Sequence, residues 1–384
     1  MSEHDPVVAL VHERFTEWAG SEMVVEQLAA QWPSAPVFAP ITRSDAVPAS
    51  LRDRVRPGRL TRLTTSSGGY AHLLPLLPLA MARLPIPPVD VVVTSHHAFG
   101  TQVVNATDAP VVAYVHSPAR WVWDDTMRHG EMGGRGGQAA LGAFSRVFRP
   151  IDRRAAHRVH TLVANSSTVA QRIQQWWGRD ASVIHPPVDT EFYHRAPDVQ
   201  REDFFVMAGR LVPYKRPDLA VRAATLAGVP LVVTGDGRGA GECRLLAGPT
   251  VTFLGRVTNE EQRSLFRRCR GLVMPGIEDF GIVPVEAQAC GAPVLAAGAG
   301  GALDSVLTGV TGELVPEPAA SRDARGSATA GRDDTAVRLW ADHLRGFGAA
   351  ADYDPVRIRE HAETFSRSRF RAQMGAVVGA VLAG

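Results

Sequence analysis

The sequence predicts an α/β protein built from two doubly wound domains. Short, continuous β-branched runs alternate with longer helical patterns from end to end, and the alternation pauses once before it restarts. Runs that are apolar at every position, not at every second one, belong to strands covered on both faces, and hence to parallel sheets flanked by helices. At 384 residues the chain exceeds one small core and suits two domains of ordinary size.

In the first half the strand-like runs are "PVVALVH" (6–12), "VDVVVTS" (89–95), "PVVAYVH" (110–116) and "HTLVANS" (160–166), each bounded by turn residues. Helical spacing separates them, as in "SEMVVEQLAAQW" (21–32) and "TVAQRIQQWW" (168–177). The Pro- and charge-rich passage 185–203 breaks the pattern. A second series follows: "FFVMAGR" (204–210), "PLVVTGDG" (230–237), "VTFLGRV" (251–257), "GLVMPG" (271–276) and "PVLAAG" (293–298). The expected domains are therefore 1–196 and 197–360, with a last helical segment, 361–384, returning to the first domain. Residues 317–335, poor in apolar side chains, read as a flexible surface insertion.

Bulk composition excludes several classes. Hydrophobic content of 45% with 21% charged residues is globular, and a net charge of +2 lacks the basic stripe expected of a nucleic-acid binder. Arginines cluster at 52, 54, 56, 59 and 62, which fits a solvated face better than an anionic partner or membrane surface. Cys243, Cys269 and Cys290 include no C-x-x-C and suggest neither a disulfide frame nor a zinc site. No signal peptide is visible after MSEHDP, and "LLPLLPLAMARLPIPP" (73–88) holds five prolines and is too short to span a bilayer. The expectation is a soluble cytoplasmic protein, with peripheral contact to the inner face of a membrane left open.

In open parallel sheets ligands sit beyond the carboxyl ends of the strands, so those segments carry the chemistry. "TGDGRGAGE" (234–242) fails the dinucleotide fingerprint, since Ala240 stands where the third glycine belongs; a tight turn with close backbone approach is the better reading. The strongest signal is "PGIEDFGIVPVEAQACG" (275–291), in which Glu278 and Glu286 are separated by seven residues. A helix starting around Gly281–Ile282 would offer free amides and the positive end of its dipole to an anion. Glu286, about one turn in, could accept from two adjacent hydroxyls of a ribose. Both acids could equally do no more than complement the helix dipole.

"GRLVPYKRPD" (209–218) adds to that signal. Lys215 is the only lysine, so 40 of the 41 basic residues are arginine. Gly209 permits close backbone approach, Arg210 can fork two phosphate oxygens, and an ammonium at 215 is a compact point charge on a flexible stem. A diphosphate that gains charge as a bond breaks is served by one of each.

Arg210, Lys215 and the Glu278-x7-Glu286 spacing resemble the retaining glycosyltransferases of family 4, the group 1 type with the GT-B fold. "HSPARWVWD" (116–124), "ANSSTVAQRI" (165–173), "VIHPPVDTEFY" (183–193) and "EDFGIVPVEAQACGAPVLAAGAGGALD" (278–304) look most like its O-antigen-type mannosyltransferases. The resemblance implies two Rossmann-like domains facing a central cleft, the first on the acceptor side and the second holding the donor. It implies that Arg210 and Lys215 hold the diphosphate of a nucleotide-sugar, Glu286 the ribose, and Glu278 with the backbone of Phe280, Gly281 and Ile282 the sugar hydroxyls. Gly20 would lie in the first-domain loop facing the phosphates, and His116 near C6 of the sugar or near the acceptor. It favours GDP-mannose as donor and a saccharide, lipid-linked or small-molecule acceptor, with no metal and no cofactor beyond the donor. One departure stands out: the family's glycine pair in the first loop is Ala19–Gly20 here.

A lone strand-end histidine such as His116 is more often structural, and His96 and His97 are weaker candidates. Trp121 and Trp123 suit sugar stacking or core packing alike. Asn165 and Ser166 suit helix capping better than a cleft role. Asp352-Tyr353-Asp354, the single D-x-D, is about what chance supplies. Other classes also remain open: a glycosidase using Glu278 and Glu286, which leaves the cations unexplained; a phosphorylase or sugar-phosphate synthase; and a non-catalytic partner subunit.

Overall fold

A computed structural model describes residues 6–64, 71–125, 134–316, 330–348 and 353–384. The chain divides into two compact units, residues 1–187 with 368–384, and residues 188–367.

In the first unit seven parallel strands form one sheet: β1 (Val8–His12), β3 (Val37–Ala39), β5 (Val55–Pro57), β6 (Val91–His96), β7 (Val111–Val115), β8 (Thr161–Ala164) and β9 (Ser182–Val183), in the order β5-β3-β1-β6-β7-β8-β9. The short β2 (Arg14–Phe15) and β4 (Ile41–Thr42) pair separately. The continuous apolar runs have the predicted cause. Ala9, Val11, Val92, Ala113 and Leu162 pack into one core layer, while Val8, Leu10, Val93, Val112, Tyr114 and Val163 pack into the other. Successive side chains alternate faces, and helices cover both.

The second unit repeats the plan with six parallel strands: β10 (Phe205–Ala208), β11 (Leu231–Thr234), β12 (Val251–Gly255), β13 (Gly271–Met274), β14 (Val294–Ala297) and β15 (Gly312–Val315), in the order β12-β11-β10-β13-β14-β15. Strand order reverses between β1 and β6 in the first sheet and between β10 and β13 in the second. Such reversals open a crevice at the carboxyl edge. The segments that follow these four strands therefore form the natural sites of the two units.

Two expected boundaries move. The first unit ends at Pro187, not at 196, because Val188 is fully buried among second-unit side chains and its N–H donates to the Phe365 carbonyl (2.8 Å). The return to the first unit begins at Ser368, not at 361, because Ala362 and Phe365 stay in the second core. From there the helix Arg367–Ala383 lays Phe370, Met374 and Val378, four residues apart, into the first core.

Residues 317–329 of the expected insertion lie outside the described residues, and 330–335 open the helix Ala330–Gly346. Asp352 is likewise outside. Tyr353 packs against Phe347 (ring centroids 5.4 Å), and Asp354 caps the helix Pro355–Glu363 by accepting from Val356 N (2.8 Å). Among the described residues no helix is long and apolar enough to cross a membrane.

Candidate functional site

In the second unit the loops after β10 and β13 close on each other. Residues 209–215 fold as consecutive turns, with Val212 N on Arg210 O and Lys215 N on Val212 O. A side chain at Gly276 would sit 2.3 Å from the Lys215 Cα, so only glycine lets the β13 loop lie against this turn. Gly235 does the same from the β11 loop, where a Cβ would lie 1.9 Å from the Gly209 carbonyl oxygen. That is the close backbone approach expected of "TGDG".

This packing brings Lys215 to Glu278. The ammonium donates to Glu278 Oε1 at 2.9 Å, with Lys215 only 9% exposed. A buried cation needs a paired anion, and an ammonium makes that pair end-on with two further protons still to direct elsewhere. Arg210 is exposed, so the guanidinium lies on the solvent side while the ammonium is enclosed.

The helix beyond is Ile282–Ala289, starting where the sequence placed it. Gly281 precedes it at φ 83°, a conformation that favours glycine. Pro284 stands in the first turn, where a helix has no partner for an N–H anyway, so the amides of Gly281, Ile282 and Val283 are the ones outside the helical ladder. Phe280 points away into the core, against Phe365 (5.6 Å), and only its backbone remains for the site. Glu286 is half-buried. Burial, and then the charge of Asp189, push its carboxyl up to about 7 against the opposing pull of Lys215 and Arg367. Arg367 itself holds Asp189 at 2.8 Å.

The first unit's carboxyl edge is of another kind. Gly20 opens the helix Gly20–Gln31 directly after Ala19. His116 follows β7, and its Nε2 lies 2.8 Å from Ser95 Oγ. His97 stacks on it, with centroids 4.5 Å apart and planes at 14°. Burial and the charge of His12 hold the His116 imidazole down at about 3; burial holds His97 well below its ordinary range, and His96 is at about 4. These three imidazoles are uncharged.

Glu13 and Glu22 at this edge accept from donors inside the fold. Glu13, fully buried, accepts from the amides of His97, Ala98, Phe99 and Gly100 on one oxygen, all at 2.7–2.8 Å. Although burial alone would raise it, His96, Arg14 and these amides keep its pKa below the ordinary value. Glu22 accepts from Ala19 N (3.1 Å), Ser21 Oγ (2.8 Å) and His12 Nε2 (3.3 Å).

The alternatives left open for the tryptophans resolve toward packing. Trp121 stacks on Phe144 (5.8 Å), and Trp123 stacks on Trp176 (6.3 Å) while donating to Asp152 Oδ2 at 2.8 Å. Ser166 caps the helix Ser167–Trp177 by accepting from Val169 N (3.2 Å). Within the arginine cluster, Arg54 donates to the carbonyls of Ala29, Trp32 and Ala35, a local role.

Residues 18–192 match the Glycosyltransferase Family 4 model, and residues 189–335 match the model of Glycosyl transferases group 1. The two glycosyltransferase models follow one another along the chain, and together they cover residues 18–335. The D-inositol 3-phosphate glycosyltransferase of Mycobacterium avium is 33% identical over 239 residues, 53% of this chain and 51% of that protein. The one of Mycobacterium tuberculosis strain F11 is 34% identical over 184 residues, 40% and 37% respectively. The chain thus aligns with about half the length of these curated relatives, or less.

Solved structures show the same GT-B fold. Anabaena HepE in complex with UDP and glucose superposes with TM-score 0.65 at 18% identity, covering 97% of this chain and 100% of that one. The lipopolysaccharide outer core galactosyltransferase WaaB gives 0.62 at 16%, covering 97% and 99%. The sucrose-phosphate synthase of Thermosynechococcus elongatus gives 0.63 at 18%, covering 98% and 99%. Against this glycosyltransferase frame, sequence reasoning missed Glu13, His12, Ser95 and Glu22. The available signal was that three adjacent parallel strands, β1, β6 and β7, all run into histidines at their carboxyl ends.

Proposed function

We propose that the protein is a retaining glycosyltransferase that moves a hexosyl group, mannosyl by preference, from a nucleotide-sugar to an acceptor hydroxyl. The observation that carries this reading is the enclosed Lys215–Glu278 pair beside the mouth of the helix Ile282–Ala289. Phosphate oxygens of the donor would be held by Arg210, by the free protons of Lys215 and by the amides of Gly281, Ile282 and Val283. Glu286 would accept from two hydroxyls of the ribose, and Glu278 would orient the sugar.

In the reaction the bond from the anomeric carbon to the phosphate oxygen breaks and a bond to the acceptor oxygen forms on the same face. The acceptor proton passes to the departing phosphate oxygen, and a nucleoside diphosphate leaves. Charge grows on that oxygen as the bond stretches, and the fixed cations and amides meet it without reorganisation. No protein nucleophile is required. A glycosidase would use the two glutamates as acid and base; ion pairing of Glu278 with Lys215 disfavours that use.

Motif resemblance favours GDP-mannose, while the UDP named with HepE makes UDP-hexoses the second donor class to try. The names of the curated relatives put inositol 3-phosphate among the acceptors to be offered. The test is release of nucleoside diphosphate from each donor with and without acceptor, with product anomers read by NMR. Acceptor-dependent release from GDP-mannose with retained configuration is expected, unaffected by a chelator. An inverted product, a strict metal requirement or no release from any donor would overturn it.

A further inference from the structure

The carboxyl edge of the first sheet holds a connected chain of side chains that the family motifs do not include. Glu22, His12 and Ser95 are all buried, and their polar atoms run in line: Glu22 Oε1 to His12 Nε2 (3.3 Å), His12 Nδ1 to Ser95 Oγ (3.2 Å), Ser95 Oγ to His116 Nε2 (2.8 Å). Only the last member is partly exposed. The register of the parallel strands makes the chain possible, since His12 and Ser95 are paired positions on β1 and β6.

We propose that Glu22, His12 and Ser95 form a positioning relay that fixes His116 in one tautomer, so that its Nδ1 presents a single hydrogen-bonding role to a hydroxyl of the bound sugar or acceptor. The inference rests on the glycosyl-transfer reading for that last step.

The coupling along the relay follows from donor and acceptor capacity. Glu22, whose pKa lies below the ordinary value despite burial, is a carboxylate and can only accept, so His12 Nε2 carries a proton. The Ser95 hydroxyl lies between His12 Nδ1 and His116 Nε2 and has one proton, so it can donate to only one of the two rings, and the proton on one imidazole decides the proton on the other. His116 Nδ1 is the nitrogen that this line leaves to face a ligand. Which imidazole nitrogen is protonated is set by the bond the other makes.

The surroundings keep the ring still and uncharged. His97 stacks on one face of His116, and the Tyr114 ring meets it edge-on at 5.2 Å. His12 lies against Phe15 (4.8 Å) and edge-on to His97 (5.5 Å). The charged and titratable groups around the cluster are Glu13, Glu22, Arg14, His12, His96 and His97, and burial outweighs them in holding His116 neutral.

The test reads the tautomer directly on the full chain labelled with 15N-histidine, with His116→Asn identifying the signals. Wild type should show His116 in a single tautomer. Ser95→Ala and Glu22→Gln should both give mixed tautomers, while Ser95→Thr, which keeps a hydroxyl, should restore one. A His116 already mixed in wild type, or unmoved by Ser95→Ala, overturns the relay whatever the activity. The second reading is transfer from GDP-mannose or whichever donor is turned over. Ser95→Ala should lower kcat/KM about tenfold, the weight of one hydrogen bond, with Ser95→Thr recovering most of it. A scrambled tautomer with unchanged kcat/KM overturns the positioning role and leaves the donor site untouched. Loss of transfer in wild type, with the tautomer as expected, instead fails the functional reading.

Discussion

The two units use the same doubly wound sheet and the same crevice beside the first strand, yet their carboxyl edges are chemically opposite. In the second unit that edge carries charge. Lys215 has protons to spare beyond Glu278, the amides at the mouth of the helix Ile282–Ala289 are unladdered, and Arg210 is exposed. In the first unit the imidazoles of His96, His97 and His116 are neutral, and Glu13 and Glu22 turn to donors inside the fold, Glu13 to four amides on one oxygen and Glu22 to three donors. A fold positions a site at the strand ends; side chains there decide whether it suits a diphosphate or a neutral hydroxyl.

The contrast breaks most visibly at Lys215. Lys215→Ala should cut transfer by roughly 10²–10³-fold, as expected for removing a charge aimed at the leaving group, and it strands Glu278 without its cation. Lys215→Arg should rescue poorly, because the enclosed turn beneath Gly209 and Gly276 fits an ammonium and a planar fork is wider. Turnover of Lys215→Arg near wild type, with circular dichroism unchanged, would show that this edge needs charge alone and no particular shape.

A smaller effect separates two carboxyls that burial pushes to the same value, about 7: Glu286 in the second unit and Asp152 in the first. Glu286 borders the proposed ribose site, so its titration should appear in donor binding. Below pH 7 it takes up a proton and can no longer accept from two hydroxyls, so donor KM should rise by up to about tenfold per unit of pH from 7 toward 6. Glu286→Gln should bind donor more weakly at pH 8 and show a flat profile. A wild-type KM independent of pH over this range would place the carboxylate away from the donor.

Asp152 should appear in stability instead. Its Oδ2 accepts both indole N–H groups of Trp123 and Trp177 (2.8 Å each), locking the aromatic layer on which β6 and the helix Gly134–Arg158 rest. The carboxyl is raised from 3.8 to about 7. Between those values the folded chain keeps a proton that the unfolded chain has released. Stability therefore falls as pH climbs through that window and levels off above 7. Asp152→Asn keeps an acceptor for the indoles and removes the ionisation, so its Tm should decline less than wild type between pH 5 and 7 in calorimetry. Equal slopes would mean that the carboxyl is ionised throughout.

How much of this was legible in the sequence follows from how local each feature is. The central strands and the helix start at Gly281–Ile282 were readable, because apolar runs and an E-x7-E spacing lie within one segment. The short strands β3, β5 and β9 were not, since two or three residues give no periodicity. The pair Lys215–Glu278 spans 63 positions, and the oddity of a single lysine and the motif resemblance brought the two to one site without giving their contact. Glu13 was invisible: nothing in "VHERF" says that one oxygen will gather four amides 84–87 residues away. The histidines at the strand ends were visible one by one, but their connection depends on the register of β1 with β6 and of β6 with β7, which sequence reading did not set.

The smallest prediction tests whether the neutral edge extends to β8. Ser166 follows this strand at the same carboxyl edge as His116, and its sequence context "ANSS" suits a cap better than a cleft residue. In the structure its hydroxyl is fully buried and accepts from Val169 N, which fills one of the empty valences at the start of the helix Ser167–Trp177. A cap of this kind contributes about 1 kcal/mol. Ser166→Ala should therefore lower Tm by roughly 2–4 °C, as expected for a unit of this size, and leave kcat/KM for both donor and acceptor at the wild-type value. His116, at the end of the adjacent strand, should show the reverse pattern: a large loss in kcat/KM for His116→Asn with little change in Tm. If Ser166→Ala instead changes acceptor KM at constant Tm, the neutral edge reaches one strand further than the His12–Ser95–His116 line, and the acceptor lies across β7 and β8 together.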